Sequence, residues 1–339
     1  MGTIPVFVTG GSGVVGGAVV RRLVADGRTV RALVRSDRAA EAVRAIGAEP
    51  ISGDVLDVDS LAPGMDGCEV VYHVAGVNEF CMRDPSPMDR VNVAGSSNCV
   101  MAAHRSGVRR LVYTSSAATL GEAHGTVGRE DSSHRGSFLS AYERSKFEAE
   151  ATVMRLAERL GLAVVSVNPS SVQGPGRASG TGRVLIEYLR GRLRFWVPTT
   201  ISFVDIDDCA EGHVLAETKG VPGQRYVLNG ASLGSGEMLE IMRAVAPGIR
   251  PPRLVPPAAA RVGVALVEAA AWARRKPAVV CRESLRALLH GHRYDGSRAE
   301  RELGLRYRSA EETLRRTALW LVEHGDVPPS ALGAAGDST

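Results

Sequence analysis

A tyrosine and a lysine, Tyr142 and Lys146, stand four residues apart in a segment whose apolar pattern predicts a helix from Ala141 to Leu160. Residues at this spacing project from the same face of a helix, so the phenol and the ammonium are expected to be neighbours. A nearby positive charge favours the phenolate and lowers the pKa of a tyrosine, which is ordinarily about 10. The pair therefore predicts an acid/base catalyst, although Tyr-x-x-x-Lys is also common on solvated helix faces.

A glycine-rich turn at Val8 to Gly16 provides a second chemical signal near the start of the chain. The turn reads Gly10-x-x-Gly13-x-x-Gly16 and joins an apolar strand to a predicted helix, which places unpaired backbone N–H groups where a pyrophosphate would bind. In such a turn the first glycine permits the bend, the second lets the phosphates approach, and the third lets the helix pack on the sheet. The turn predicts a dinucleotide site, and its candidate cofactor contacts are Gly10, Ser12, Gly13, Val14, Val15 and Gly16.

The elements that would position these groups alternate along the first half of the chain. Apolar strands are predicted at Pro5–Thr9, Thr29–Val34 and Glu49–Ser52, with helices between them, and the alternation continues to a strand at Ala163–Val167. Such alternation is typical of a parallel sheet with helices on both faces. The predicted fold class is α/β, a Rossmann-type doubly wound parallel sheet with a smaller, mostly helical C-terminal substrate lobe.

In the second half of the 339-residue chain, strands and helices no longer alternate regularly, and glycine- and proline-rich segments occur instead. This change indicates a second lobe. We assign residues 1–172 to the dinucleotide-binding domain, with a strand at 201–217 returning to it. Residues 173–200 and 220–325 form the predicted substrate lobe. Residues 326–339 are predicted to be a flexible tail.

Charge and cysteine content exclude several classes of protein. The chain has 41 Lys and Arg against 37 Asp and Glu, a net charge of +4 spread along the sequence, so no nucleic acid is expected as a partner. No basic and apolar leader precedes the first strand, and a cytoplasmic location is expected. The cysteines lack CxxC spacing and paired His clusters, which predicts buried thiols rather than disulfides or a metal site. These cysteines are Cys68, Cys81, Cys99, Cys209 and Cys281.

The most apolar stretch, Leu254–Ala273, is interrupted by Pro256, Pro257, Arg261 and Glu268. It is therefore not expected to span a bilayer, and no stable membrane insertion is predicted. We interpret it as a helix that covers the substrate lobe or lies at a membrane surface.

Further motifs resemble those of the extended short-chain dehydrogenase/reductase family. The glycine turn, a strand that ends in Thr114-Ser115-Ser116 and the Tyr142-x-x-x-Lys146 pair occur in the order typical of that family. The resemblance runs from about residue 4 to at least residue 217. Other matching segments are Gly53-Asp54-Val55, His73-Val74-Ala75-Gly76, Phe203–Asp208, with Asp205 where histidine is more usual, and Tyr294–Gly304, with Arg298 in place of lysine.

The resemblance implies a role for each residue of the site. Tyr142 would exchange a proton with the substrate, and Lys146 would lower its pKa and hydrogen-bond the nicotinamide ribose. Ser116 would orient the substrate carbonyl, with Ser115 as a helper. The residues implied to contact the cofactor outside the glycine turn are Asp54, Val55, Val74, Ala75, Gly76, Thr114, Tyr142, Lys146, Pro169, Ser171 and Val172.

The end of the second predicted strand bears on the choice of cofactor. A carboxylate there would bind the ribose hydroxyls of NAD, whereas an arginine suits the additional phosphate of NADP. The strand ends in Arg35 without an acid, and Ser36 and Arg38 follow closely. Arg35 resembles the phosphate-binding arginine of plant-type dihydroflavonol reductases. NADP(H) is the predicted cofactor and NAD(H) the alternative, in which case Arg35 would be solvated or stack on adenine.

The segment Asn168–Pro175 bears on the substrate. It reads N-P-S-S-V-Q-G-P and resembles dihydroflavonol and cinnamoyl-CoA reductases. Sugar-nucleotide epimerases and dehydratases usually have a diphosphate-contacting asparagine where this chain has Ser171. Bacterial proteins described as hopanoid-associated sugar epimerases also resemble the chain over nearly its whole length.

These resemblances predict an NADP(H)-dependent oxidoreductase that reduces a ketone or aldehyde, or oxidises the matching alcohol, of a small to mid-sized hydrophobic molecule. The alternatives are an NAD-dependent nucleotide-sugar epimerase or dehydratase and a noncatalytic protein that senses the cofactor. A homodimer is also implied, formed through the helices around Met88–Ser106 and Ala141–Leu160.

Several other residues keep two interpretations. Asn92 matches an asparagine found in a helix of the family, and a purely structural hydrogen bond would explain it equally well. His73 is interpreted as a buried, hydrogen-bonded residue and not as a ligand. The arginines that would bind a phosphorylated or CoA-linked substrate, or form a solvated face, are Arg177, Arg183, Arg190, Arg192 and Arg194. Candidates for an apolar pocket wall or for core packing are Phe80, Met82, Met88, Trp196 and Trp272.

Overall fold

The computed structural model describes residues 4–178, 182–276, 278 and 280–332 of the chain. Its central feature is a sheet of seven parallel strands. The order of the strands reverses on either side of the first one, and ligands of open α/β sheets bind beyond the carboxyl ends of the strands at such a switch point. From edge to edge the strands are β3 (Glu49–Ser52), β2 (Val30–Val34), β1 (Val6–Thr9), β4 (Val70–His73), β5 (Arg110–Thr114), β6 (Ala163–Pro169) and β10 (Arg225–Leu228).

The helices of the described residues begin and end at recognisable capping residues in several cases. The longest helix, for example, starts after Ser140, whose hydroxyl accepts a hydrogen bond from the Glu143 N–H, and ends at Gly161 with a φ of 68°. In chain order the α-helices are α1 (Val14–Ala25), α2 (Asp37–Arg44), α3 (Ala62–Met65), α4 (Ser86–Asp89), α5 (Ser96–Arg105), α6 (Ala141–Leu160), α7 (Gly182–Leu189), α8 (Ile206–Lys219), α9 (Ser235–Val245), α10 (Pro257–Ala273), α11 (Arg282–His290) and α12 (Ala310–Glu323).

Helices cover both faces of the central sheet, because successive side chains of each strand point to opposite faces. Val6 and Val8 of β1 pack into a core shared with α1 and α8, whereas Phe7 packs into a second core with α5 and α6. The prediction of an α/β, doubly wound parallel sheet is thereby confirmed.

Two strands of the second half lie elsewhere than the sequence analysis placed them. β9 (Thr200–Asp205) stays outside the central sheet, because it pairs with β7 (Ser171–Gln173) and β11 (Ala231–Gly234) in a separate sheet. Within 201–217 it is α8 that returns, to pack on α1. β10, from the range assigned to the substrate lobe, forms the last strand of the central sheet.

The second lobe combines helices with two small sheets. Its core lies between α7, α9 and α12, and a short parallel pair joins β8 (Phe195–Trp196) to β12 (Arg253–Leu254). The predicted tail at 326–339 is wrong for its first part, since Val327 and Ala331 are buried in this core. Residues 333–339 lie outside the described residues.

Helix α10 occupies most of the apolar stretch singled out in the sequence. It packs on α11, and Val264 is its buried residue, whereas Val262, Leu266 and Trp272 are exposed. No helix among the described residues is both long enough and apolar enough to cross a membrane.

The prediction of five free thiols is wrong for two cysteines. Cys81 and Cys281 form a disulfide across 200 residues of sequence, with a Cα–Cα distance of 5.7 Å. The fold brings the loop after β4 to the start of α11, where the Glu283 carboxylate accepts a hydrogen bond from the Cys81 N–H. Rules based on local cysteine spacing cannot detect such a pair. The three remaining cysteines, Cys68, Cys99 and Cys209, are buried free thiols as predicted.

Candidate active site

The glycine turn lies against the end of β4 at the carboxyl edge of the sheet. Gly10 has a φ of 74°, and a Cβ built on it would lie 2.7 Å from the backbone nitrogen of Ala75. A Cβ on Gly16 would lie 2.1 Å from the carbonyl oxygen of Gly10. Both glycines therefore keep open a backbone cradle at the start of α1, whose N-terminus has no side-chain cap. Unpaired N–H groups in such a cradle suit a pyrophosphate.

The other parts of the predicted cofactor cleft meet at Gly76. A Cβ on Gly76 would lie 3.3 Å from Asn92 Oδ1 and 3.9 Å from the ammonium of Lys146. The fold thus brings the segment after β4 between the glycine turn and the predicted catalytic helix. Of the remaining residues predicted to contact the cofactor, Ser12 is exposed, Val14, Val15, Val74 and Ser171 are half-buried, and Val55, Pro169 and Val172 are buried.

Tyr142 and Ser116 meet at the end of β5. Burial raises the pKa of Tyr142 above its ordinary value, and the Ser116 side chain beside it acts in the opposite direction. The Ser116 hydroxyl also accepts a hydrogen bond from the Ala118 N–H at 3.3 Å. Ser115, the predicted helper, points away, because its hydroxyl donates to the buried carboxylate of Glu150. Ser116 is therefore the serine of this pair that faces the tyrosine.

Lys146 is buried one helical turn after Tyr142, with 5% of its surface exposed. Its ammonium donates to the Thr114 carbonyl at 2.8 Å and to the Tyr113 hydroxyl at 3.2 Å, and it lies 4.9 Å from the centre of the Tyr113 ring. An ammonium has three donors, so one remains for a bound molecule. Burial lowers the pKa of Lys146 to about 8, and the nearby Glu150 carboxylate opposes that shift.

The effect of Lys146 on the pKa of Tyr142 remains a prediction. Burial raises the pKa of Tyr142, and the Ser116 side chain and the guanidinium of Arg177 act in the opposite direction. The ammonium of Lys146 makes its hydrogen bonds at the end of β5. Arg177 is the member of the predicted arginine group that lies beside the tyrosine; Arg183, Arg190, Arg192 and Arg194 are exposed.

The buried carboxylate of Glu150 holds the catalytic helix against the sheet. Besides Ser115, it accepts hydrogen bonds from Thr119 at 2.9 Å and from Asn168 at 2.6 Å, and it pairs with Arg225 at 3.2 Å. These partners belong to the turn after β5, to β6 and to β10. Sequence reasoning missed Glu150, although its position one turn after Lys146 on the same helix face was a usable signal.

The adenosine end of the predicted cleft lies at β2 and β3. The guanidinium of Arg35 is 67% exposed and lies 4.0 Å from the carboxylate of Asp54, which is 40% exposed. Asp54 also accepts a hydrogen bond from the Leu56 N–H at 2.9 Å, which fixes its carboxylate in the loop. An exposed arginine beside a fixed acid leaves the guanidinium accessible to a phosphate. Thr114, by contrast, directs its hydroxyl to His213 at 2.9 Å, so its contribution to the site is the carbonyl that holds Lys146.

The candidate pocket residues lie in different environments. The ring of Phe80 lies 6.0 Å from the ring of Tyr142 and is 41% exposed, which suits a pocket wall. Met88 is fully buried and packs in the interior, and Trp272 is 80% exposed on α10. Met82 and Trp196 are half-buried.

His73 and Asn92 are structural residues in this site. His73 is fully buried and shares hydrogen bonds with Thr9 at 2.7 Å and Ser96 at 2.9 Å, as the sequence analysis interpreted it. Asn92 donates to the Ser145 hydroxyl at 2.9 Å and accepts from the Val77 N–H at 2.8 Å. Asn92 therefore fastens the loop after β4 to α6.

A second group of polar side chains lies close to the catalytic turn. Glu122, five residues after Ala117, meets His290 and His292 from the end of α11. The expectation of no paired histidines is wrong, because His290-x-His292 is such a pair. The missing signal was Glu122, which is remote in sequence and joins the pair only through the fold.

Known proteins resemble this chain in sequence over most of its length. Residues 6–228 match the NAD dependent epimerase/dehydratase family. The chain is 32% identical over 332 residues to a Synechocystis protein named "Putative dihydroflavonol 4-reductase", covering 95% of both. It is 33% identical over 332 residues to sterol demethylase protein B of Methylococcus capsulatus, covering 94% of this chain and 98% of that one.

A solved structure of the protein gox2253 superposes with a TM-score of 0.83 at 31% identity, covering 96% of this chain and 100% of that one. Sequence and fold thus agree with these proteins over nearly the whole chain. The chain belongs to the NAD dependent epimerase/dehydratase family, the extended short-chain dehydrogenases/reductases.

Proposed function

We propose that the protein is an NADP(H)-dependent oxidoreductase that reduces a ketone or an aldehyde of a small to mid-sized hydrophobic molecule, or oxidises the matching alcohol. The observation that carries this proposal is the placement of the Ser116 side chain beside Tyr142, with the ammonium of Lys146 next to Gly76 one helical turn later. A proton donor, a second hydroxyl and a cation around one cleft are the groups that a carbonyl reduction requires.

The proposed mechanism assigns one task to each side chain. The bound nicotinamide would supply or accept the hydride. The Ser116 hydroxyl donates a hydrogen bond to the substrate oxygen, and Tyr142 transfers its proton to that oxygen as negative charge develops there. Because burial raises the pKa of Tyr142, its phenol is protonated at neutral pH, which suits reduction. The free N–H of Lys146 is directed toward the place where Gly76 leaves room for a ribose.

The preference for NADP(H) is supported by Arg35, and the hydrophobic substrate by Phe80. Arg35 is largely exposed at the end of β2, where the cofactor's additional phosphate would lie. The ring of Phe80 stands beside Tyr142 and offers an apolar wall. The names of two relatives, a dihydroflavonol reductase and a sterol demethylase protein, agree with a ring-containing, hydrophobic substrate.

The proposal is tested by following NADPH and NADH oxidation with a panel of ketones, aldehydes and acyl-CoA thioesters. We expect NADPH oxidation with at least one hydrophobic carbonyl compound, and a loss of about 10²- to 10⁴-fold in kcat for Tyr142→Phe, because the proton donor is removed. Binding of NADPH, measured by its fluorescence, should persist in that variant. A purified protein that carries tightly held NAD and oxidises no added NADPH would instead support an epimerase, and an unaffected Tyr142→Phe variant would exclude the proposed chemistry.

A further inference from the structure

Three donor side chains from distant parts of the chain converge beside the catalytic turn. Glu122 follows the helical turn at 117–120, whereas His290 ends α11 and His292 lies two residues later. Between the two histidines, Gly291 has a φ of 69°, a conformation that L side chains rarely adopt. This bend lets both imidazoles face the same carboxylate.

The donor atoms of this cluster lie close together. His292 Nδ1 is 2.6 Å from Glu122 Oε1, His290 Nε2 is 3.6 Å from the same oxygen, and all three donor atoms lie within 4.8 Å of one another. In a tetrahedral site with bonds of about 2.0–2.1 Å, neighbouring ligand atoms are separated by roughly 3.3 Å. The three separations lie on both sides of this value, so side-chain shifts on the order of 1 Å would give ligand geometry.

The carboxylate of Glu122 is incompletely satisfied by the protein. Its side chain is 2% exposed, and its second oxygen, Oε2, is buried without a hydrogen-bond partner among the described residues. The guanidinium of Arg135 donates to the Glu122 carbonyl at 3.2 Å and pairs with Glu143, and its Nε is also buried without a partner among the described residues. A buried carboxylate oxygen in this state costs free energy unless a further partner binds it.

The ring nitrogens that would bind the ion now pair within the cluster. His290 Nε2 lies 3.2 Å from the Glu122 carbonyl oxygen, a contact that it would exchange for the ion. The Tyr294 hydroxyl lies 2.9 Å from His292 Nδ1 and can turn to accept another partner when that nitrogen ligates. His124 is not part of this donor cluster, because its Nδ1 forms a hydrogen bond with the His290 carbonyl oxygen at 2.8 Å.

We propose that Glu122, His290 and His292 bind one divalent transition-metal ion of the zinc type. One carboxylate and two imidazoles are ligands that zinc prefers, and three protein ligands leave a fourth position for water or another molecule. The bound ion would fasten the loop that follows Ser116 to the end of α11 in the second lobe. This site uses none of the residues assigned to the reduction and does not rest on the proposed function.

The test uses the full chain, stripped of metal with a chelator and titrated with Zn²⁺ by calorimetry, and with Co²⁺ by visible absorption. We expect one ion per chain and a Co²⁺ spectrum typical of tetrahedral coordination. Glu122→Gln, His290→Asn and His292→Asn should each weaken binding at least tenfold. His104→Asn serves as the matched control, because His104 is exposed on α5 and outside the cluster.

Folding of each variant is checked by circular dichroism without metal, and Glu122→Gln preserves the shape of the side chain. A second readout is the melting temperature, which a ligand of the native state raises in wild type and in His104→Asn, but less in the three variants. The proposal is overturned if the wild-type chain binds no stoichiometric ion. It is also overturned if the cluster variants bind Zn²⁺ as tightly as His104→Asn does.

Discussion

Lys146 is a buried cation, and its protonation can be followed separately from the proposed proton transfer by Tyr142. Its pKa falls to about 8, against an ordinary value of 10.5, because burial removes water from the ammonium. The ammonium is therefore protonated below pH 8 and becomes neutral as the pH rises through 8. A neutral amine still accepts a hydrogen bond but attracts the cofactor less strongly.

We predict that kcat/KM for NADPH falls as the pH rises through about 8. This parameter reports on the cofactor-free enzyme, in which the pKa of Lys146 is the lowered one. The measurement is a pH profile from 6 to 10 at saturating carbonyl substrate. A profile that stays level to pH 10 would show that the charge of Lys146 has no part in cofactor capture.

The same pKa has a consequence for stability that needs no substrate. Between pH 8 and 10.5 the unfolded chain holds a proton on Lys146 that the native protein has lost, so the contribution of this residue to stability rises with pH in that window. The free energy of unfolding of the wild type should therefore rise relative to Lys146→Met over the window. A constant difference between the two proteins would contradict the shifted pKa.

Arg35 permits a prediction about cofactor choice. We expect Arg35→Ala to reduce the preference for NADPH over NADH by about tenfold, because a charge-assisted hydrogen bond to a phosphate is lost at an exposed position. The ratio of kcat/KM for the two cofactors measures the effect. Arg44→Ala, exposed at the end of α2, is the control and should leave the ratio unchanged. Equal ratios in Arg35→Ala and in the wild type would remove the basis for NADP(H).

Among the secondary-structure elements, α6 carries both the catalytic pair and the residue that anchors it. We predict that Glu150→Ala lowers the free energy of unfolding by about 3–5 kcal/mol, because it leaves the donors of Asn168, Thr119 and Arg225 without a buried acceptor. Urea unfolding measures the change. Glu148→Ala, exposed on the same helix, should alter stability by about 0.5 kcal/mol or less. A similar loss in both variants would mean that Glu150 acts through helix propensity alone.

Elements defined by local signals could be predicted closely, and those defined by pairing could not. The bounds of α6 and β3 are those predicted, because the apolar pattern and, for α6, the terminal Gly161 define them locally. β9 and β10 are short apolar runs of similar appearance, and only tertiary pairing places one in a small sheet and the other in the central one. For the same reason, the sequence did not indicate that Glu122 meets the His290-x-His292 pair.

At the scale of the whole molecule, the Cys81–Cys281 bond connects the loop after β4 to the second lobe. We predict that a dithiol reductant lowers the melting temperature of the wild type by on the order of 5 °C, because a disulfide closing a long loop contributes about 2–4 kcal/mol. A variant with both Cys81→Ser and Cys281→Ser should melt at the lower temperature whether or not reductant is present. Identical melting of the wild type with and without reductant would contradict a stabilising bond.

The homodimer implied by the resemblance remains a prediction.

The position of β10 at the edge of the central sheet also limits how the chain can be divided. A fragment truncated after residue 172 would contain the glycine turn, Ser116, Tyr142 and Lys146, and by sequence alone would pass for an autonomous cofactor-binding module. It would lack β10 and α8, however, and so would expose the edge of β6 and the apolar side of α1 to aggregation. Exchanging substrate lobes between relatives therefore requires junctions that leave residues 206–228 with the N-terminal part.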